Sequence, residues 1–268
     1  MRYGSGLMAA PGKEIRLRRI LPGGKALIVA MDHGVSSGPI AGLEDIRKAV
    51  ANAAKGGATG IVLHKGGVQF AKDYFDEKLA LIVHLSASTS VGPHGDRKVL
   101  VTEVEEAIAY GADAISVHVN LGGEDDDRML QDLGSTAAAC TRFGMPLLAM
   151  MYPRGSKIAD PYDVEVVKHV ARVGAELGAD VVKTLYTGSP DTFREVVRGC
   201  PVPVLVAGGP KLDSERKALE MVEGSLASGA AGVSFGRNIF QAKDPMGMTR
   251  AIARILFDGA SADDVAPR

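Results

Sequence analysis

The chain has 268 residues, 46% of them hydrophobic, with 31 basic against 32 acidic side chains and a formal net charge of -1. That length can bury one large core, and the even charge balance excludes the electrostatic footprint of a nucleic-acid binder or of a protein held on an anionic membrane. No apolar run approaches a membrane span, and Met1 to Gly12 lacks an apolar core of signal-peptide length, so the chain reads as one cytoplasmic domain over residues 1–268 with small ligands.

In chain order, residues 1–24 form an N-terminal extension whose basic stretch around Lys13, Arg16, Arg18 and Arg19 is expected to cap the bottom of the fold, to join a subunit contact or to present a solvated helix face. The first apolar run, Ala26 to Ala30, has strand length and ends in Met31-Asp32-His33-Gly34. A helix is expected over Leu43 to Lys55 and a second strand after Gly57-Ala58, ending in Leu63-His64-Lys65-Gly66. Val68 to Lys78, rich in aromatics and charge, is the weakest helix pattern. A third strand over Ala80 to Leu85 is followed by a helix over Lys98 to Tyr110, and a fourth strand opens after Gly111-Ala112. Helices over Asp125 to Phe143 and Pro161 to Leu177 flank a fifth strand, Leu147 to Met151, which runs into Tyr152-Pro153-Arg154-Gly155. The sixth strand follows Gly178-Ala179 and carries Lys183. A helix over Asp191 to Val197, a seventh strand over Val202 to Val206, a helix over Glu215 to Ser228 and an eighth strand after Gly229-Ala230 complete the pattern. Each Gly-Ala pair follows an amphipathic stretch and precedes a Val/Ile/Leu run, as a left-handed helix stop before a buried parallel strand would. Eight strands alternating with helices predict a single-domain (β/α)8 TIM barrel. No Gly-x-Gly-x-x-Gly follows the first strand, which counts against an open dinucleotide-binding sheet.

Such a barrel carries its active site at the carboxyl ends of the strands. Lys183 lies there as a single amine at the end of an apolar run. On local sequence it is open between an imine-forming nucleophile, whose free amine desolvation or a cationic neighbour would favour, and a lysine that snorkels into solvent. Asp32 and Tyr152 are the candidates to move protons around it, against a helix cap or ion partner for Asp32 and a packed ring for Tyr152. Gly208-Gly209 and Gly236-Arg237 close the last two strands, where backbone N–H groups and a short helix cradle phosphate in many barrels. Each turn alone could be a plain connection, but their joint placement favours phosphate, with Arg237 adding a bidentate contact. His33, His64 and His118 could hold a metal, yet they lack ligand spacing, and polar groups lining a phosphosugar pocket suit them better. His33, His118, Arg154 and Thr184 are counted with the substrate-binding residues. No metal or cofactor is expected, and Cys140 and Cys200 read as incidental thiols.

The strings MDHG, MYPRG, VVKTLYTG, VAGGP and GRNIF, in this order and at these strand ends, together with the opening GKEIRL, resemble the archaeal-type class I aldolases over nearly the whole chain. Within that group the chain is similar to the 2-amino-3,7-dideoxy-D-threo-hept-6-ulosonate and 2-amino-4,5-dihydroxy-6-oxo-7-(phosphonooxy)heptanoate synthases. The resemblance implies a Schiff-base mechanism with Lys183 as imine lysine, Asp32 and Tyr152 as acid/base groups, and phosphate contacts at Gly208, Gly209, Gly236 and Arg237. It implies L-aspartate 4-semialdehyde as acceptor and either dihydroxyacetone phosphate or a 6-deoxy-5-ketohexose phosphate as donor, in aromatic amino acid or aminohydroxybenzoate-type biosynthesis. It also implies a homo-oligomer, such as a decameric ring. Fructose-bisphosphate aldolases of the group usually carry a tryptophan just before YPRG, whereas this chain has none and places Met150-Met151 there. That activity is the alternative, with cleavage of a phosphorylated diketone, a metal-dependent barrel lyase and a non-catalytic phosphosugar-binding barrel behind it.

Overall fold

The computed structural model describes residues 11–266. Eight parallel strands, β1 (Ala26–Ala30), β2 (Gly60–Leu63), β3 (Ala80–His84), β4 (Ala114–Leu121), β5 (Leu147–Pro153), β6 (Val181–Leu185), β7 (Val204–Ala207) and β8 (Gly232–Phe235), close into a barrel in which β1 pairs with both β2 and β8. This is the expected (β/α)8 fold, and the four glycines read as helix stops, Gly57, Gly111, Gly178 and Gly229, all have positive φ.

The strands read as continuous apolar runs because both faces are buried. Alternate residues face a narrow interior cluster, among them Ile28, Ile82, Leu148, Val181 and Leu205, while their neighbours join a larger cluster beneath the helices, with Val29, Val83, Val182 and Val206. The helix Pro11–Ile20 meets the amino-terminal end of the barrel. Its Ile20 joins the interior cluster, Lys13 pairs with Asp180 at 3.0 Å, and Arg19 pairs with Asp113 just before β4. The expectation for the N-terminal extension lies outside the described residues over residues 1–10.

Three expected elements differ. The helix expected from Lys98 is only Val104–Ala109, because Val99–Leu100 pairs antiparallel with Ser86–Ala87 in a ribbon above β3. The helix expected from Pro161 starts at Val164, where the Asp163 side chain accepts the Val166 N–H as its cap. The weak helix near Val68 is Lys65–Ala71 followed by a single tight turn to Tyr74.

Candidate active site

The carboxyl ends of the strands surround a cavity of about 670 Å³. Asp32, His33, His118, Tyr152, Arg154, Lys183, Gly208, Gly209, Gly236 and Arg237 all line it. Thr184 does not. Successive residues of a strand point to opposite faces, so with Lys183 turned inward Thr184 is turned to the helix layer, fully buried and away from the cavity.

Lys183 stands in β6 between Met150 of β5 and Leu205 of β7, 6% exposed. Among the described residues its amine enters no ion pair, and Lys183 lines the cavity. Beside it on β5, the Tyr152 ring lies 4.8 Å from that of His118, with the Arg154 guanidinium 6.0 Å from the Tyr152 ring. His118 Nε2 pairs with Asn120 Oδ1 at 2.8 Å, and Asn120 donates to the Asp96 carbonyl at 2.6 Å, so β4 anchors the loop above it.

Asp32 begins a one-turn helix, His33–Ser37, yet its side chain makes no capping bond. It faces the cavity among three imidazoles instead: His84 Nε2 lies 3.8 Å from Oδ2 and His33 Nδ1 4.0 Å from Oδ1, and His64 stacks edge-on against His84 at 5.2 Å. Burial alone would raise the Asp32 carboxyl, but the opposing charges of His84, His33, Lys183 and His64 outweigh it and hold Asp32 well below the carboxylate range. Burial pushes His84 down to about 4 and lowers His33, His64 and His118 as well. Asp32 is thus the group the site keeps ionised, while burial works against a charge on each of these imidazoles. His84 Nδ1 meets Ser116 Oγ at 2.8 Å. The tautomer in which Ser116 donates to Nδ1 turns the Nε2 proton toward Asp32.

The two glycine turns are locked together. Asn238 donates to the carbonyls of Gly208 at 2.7 Å and Pro210 at 3.1 Å, and Arg237 donates to Gly209 O at 3.1 Å. A side chain on Gly236 would place Cβ 2.6 Å from His33 Cε1 and 2.9 Å from the Ala30 carbonyl, so this backbone passes where only glycine fits. Among the described residues two buried polar atoms here have no protein partner, Arg237 Nε and Ser234 Oγ, and both residues line the cavity. Unpaired donors beside glycine backbone at a strand end suit an oxyanion.

His33, His64 and His118 go to different neighbours: Phe240 at 5.3 Å, His84 and Tyr152 respectively. Among the described residues no three His, Cys, Asp or Glu side chains converge as metal ligands. Four residues at the site are not among those the sequence singles out. His84 and Ser234 belong to apolar strands, Lys98 falls where the sequence predicts a helix, and Asn238 follows Arg237 in the last glycine turn. The signal that finds the first two is period-two alternation from a known inward neighbour, Ile82 for His84 and Gly236 for Ser234.

The DeoC/LacD family aldolase model matches residues 26–242. A 2-amino-4,5-dihydroxy-6-oxo-7-(phosphonooxy)heptanoate synthase of Streptomyces griseus is 44% identical over 237 residues, 88% of this chain and 86% of the relative. A 2-amino-3,7-dideoxy-D-threo-hept-6-ulosonate synthase of Archaeoglobus fulgidus is 42% identical over 256 residues, 95% of this chain and 94% of the relative. The solved structure of an archaeal fructose-1,6-bisphosphate aldolase, with its catalytic lysine bound covalently to the carbinolamine intermediate, superposes with a TM-score of 0.85 at 33% identity, over 91% of this chain and 99% of that one.

Proposed function

Because the chain belongs to the DeoC/LacD family of aldolases, and is an enzyme of the class I aldolase type, we propose that it joins dihydroxyacetone phosphate to L-aspartate 4-semialdehyde through an imine on Lys183. The observation that carries this reading is Lys183 itself, a buried amine in the middle of β6 that among the described residues enters no ion pair and lines the cavity with Asp32 and Tyr152. The substrate assignment follows from the product of the Streptomyces relative. Its name describes a seven-carbon chain with an amino acid at one end and a phosphorylated ketone at the other. Breaking the bond between its fourth and fifth carbons returns these two fragments.

The chemistry balances in four steps. The Lys183 amine adds to the donor's C2 carbonyl, and loss of water leaves an iminium. A proton leaves the adjacent hydroxymethyl carbon for the Asp32 carboxylate, and the electron pair moves into the iminium to give an enamine. The enamine carbon attacks the aldehyde, and Tyr152 supplies the proton that the new alkoxide takes up. Water then hydrolyses the iminium, freeing the product and the amine, and the proton taken up by Asp32 passes through solvent to the Tyr152 phenolate, which restores both groups. Arg237, Ser234 and the backbone at Gly208, Gly209 and Gly236 would hold the donor's phosphate, and this remote binding aims the ketone carbon at Lys183.

The product of the archaeal synthase shares the amino-acid end and lacks the phosphate, so a deoxyketose phosphate is the donor to compare. Sugar bisphosphate cleavage has less support, because Met150 lines the cavity where the resemblance would place a tryptophan. A cytoplasmic homo-oligomer, decameric or otherwise, belongs to this reading and would be measured by light scattering. The test of function is to incubate the enzyme with each donor and aspartate 4-semialdehyde and analyse the product by mass spectrometry. A seven-carbon amino acid phosphate formed from dihydroxyacetone phosphate is expected. Efficient cleavage of fructose 1,6-bisphosphate without that product would contradict the reading.

A further inference from the structure

The cavity has two cationic poles, and the donor's phosphate accounts for one. That pole follows β7 and β8. The other lies after β3 and β5, where Lys98 and Arg154 line the same cavity. In the closed order β1-β8-β7-β6-β5-β4-β3-β2, strand β3 stands across the barrel from β7, and β5 lies on the other side of β6 from β7. A ligand assembled on Lys183 of β6 can therefore reach a cation in each direction.

Lys98 is placed for an anion rather than for solvent. The ribbon of Ser86–Ala87 with Val99–Leu100 folds the intervening residues back over the barrel mouth and leaves this lysine 8% exposed. Its ammonium donates to Ser88 Oγ at 2.5 Å and to the Gly95 carbonyl at 3.3 Å, both neutral groups that occupy two of its three N–H bonds. Among the described residues it forms no ion pair, and the adjacent Asp96 is engaged 3.4 Å from Arg154 Nη1 instead. Burial, and then the neighbouring Arg154, push the Lys98 amine down from the ordinary lysine range. Among the described residues Lys98 thus has one N–H left over, and an anion that arrives would stabilise its charge. Arg154, half exposed, engages Asp96 through Nη1 and has the rest of its planar fork for such a group.

We propose that Lys98 and Arg154 form the acceptor subsite, binding the α-carboxylate of an amino-acid aldehyde, with Asp96 beside them to face its ammonium group. The inference rests on the proposed function and names which residues select the acceptor. It explains how two relatives whose products differ at the ketone end can share the amino-acid end. A carboxylate held by Lys98 and Arg154 sets the aldehyde carbon between the poles, beside Tyr152 and Lys183.

The test compares kcat/KM for aspartate 4-semialdehyde with that for the same aldehyde carrying a carboxamide in place of its carboxylate, at saturating donor. Wild-type enzyme should prefer the carboxylate by about 30-fold or more, the range of a hydrogen bond to a charged group. Lys98→Met should lower that preference at least about tenfold, chiefly through the KM of the carboxylate acceptor, and Lys98→Arg should restore most of it. Borohydride trapping of donor on Lys183 reports whether each variant keeps a folded site. If Lys98→Met does not trap donor, the wild-type comparison and Lys98→Arg decide. A wild-type preference near one, or a trapping-competent Lys98→Met that keeps the wild-type preference, overturns the subsite. Wild-type enzyme that condenses neither aldehyde overturns the functional reading instead, and the two failures are thereby distinguished.

Discussion

The two ends of the same eight strands do opposite jobs. Toward the amino ends the barrel interior is apolar, filled by Ile28, Ile82, Leu148 and Val181 and closed by Ile20 from the first helix. Two to four residues further along, the inward positions carry Asp32, His84, His118, Tyr152, Lys183 and Ser234. The lower half gains its free energy from burial, whereas the upper half bears the cost of buried polar groups so that they stand where a substrate arrives. Substitutions in the lower half should therefore move stability, and those in the upper half should move turnover.

The sharpest break between the halves is at Lys183. Lys183→Ala should reduce turnover on the order of 10⁴-fold or more, about 5 kcal/mol of barrier, while the thermal midpoint stays close to that of the wild type in calorimetry. Unfolding in step with the loss of activity would show that the upper half is structural. Leu148→Ala reverses the pattern. Leu148 is buried in the interior cluster, in register with Val181 two residues before Lys183, and truncation should cost about 2–5 kcal/mol in urea unfolding with kcat little changed at temperatures where the variant remains folded. A smaller penalty would mean that the lower barrel collapses around the missing methyl groups.

The imidazoles of the upper half sharpen the comparison through pH. Below about 6.5 an unfolded chain protonates His84, while the folded site, where burial pushes it down to about 4, does not. The unfolded state then binds more protons, so stability rises with pH between about 4 and 6.5 and is lost as pH falls through that window, by roughly 3 kcal/mol for this residue. His33, His64 and His118 are shifted in the same direction and steepen the slope. His84→Asn should flatten it in denaturant titrations at several pH values; an unchanged slope would remove His84 from the account. The smallest effect is expected at the phosphate turn, where Gly236→Ala sets a Cβ 2.9 Å from the Ala30 carbonyl. We expect the donor KM to rise about tenfold, near 1.4 kcal/mol, with acceptor KM unaffected. An equal rise in both would mean that the turn shapes the whole mouth.

The architecture was legible in the sequence because it rests on local signals. Apolar runs of strand length and the left-handed stops at Gly57, Gly111, Gly178 and Gly229 each act within a few residues. Most of the candidate site was legible for a different reason: a barrel presents the carboxyl-terminal part of each strand and the turn after it at one face, which groups Asp32, Tyr152, Lys183 and the glycine turns. What failed was the position within a strand. Thr184 was grouped with its neighbour Lys183, although adjacent strand residues point to opposite faces, and His84 was absorbed into an apolar run that it in fact terminates. Lys98 was hidden because its contact partner, the Ser86–Ala87 strand, is supplied by an antiparallel pairing that leaves almost no trace in so short a segment.

The central claim is that the buried amine of Lys183 is the covalent centre of the upper barrel. Incubating the enzyme with dihydroxyacetone phosphate, reducing with borohydride and mapping the modified peptide by mass spectrometry tests it directly. The account predicts one adduct, on Lys183 within the peptide spanning β6, formed equally in the presence of a chelator. An adduct confined to any other lysine, or turnover with no trappable adduct from either donor, would contradict it.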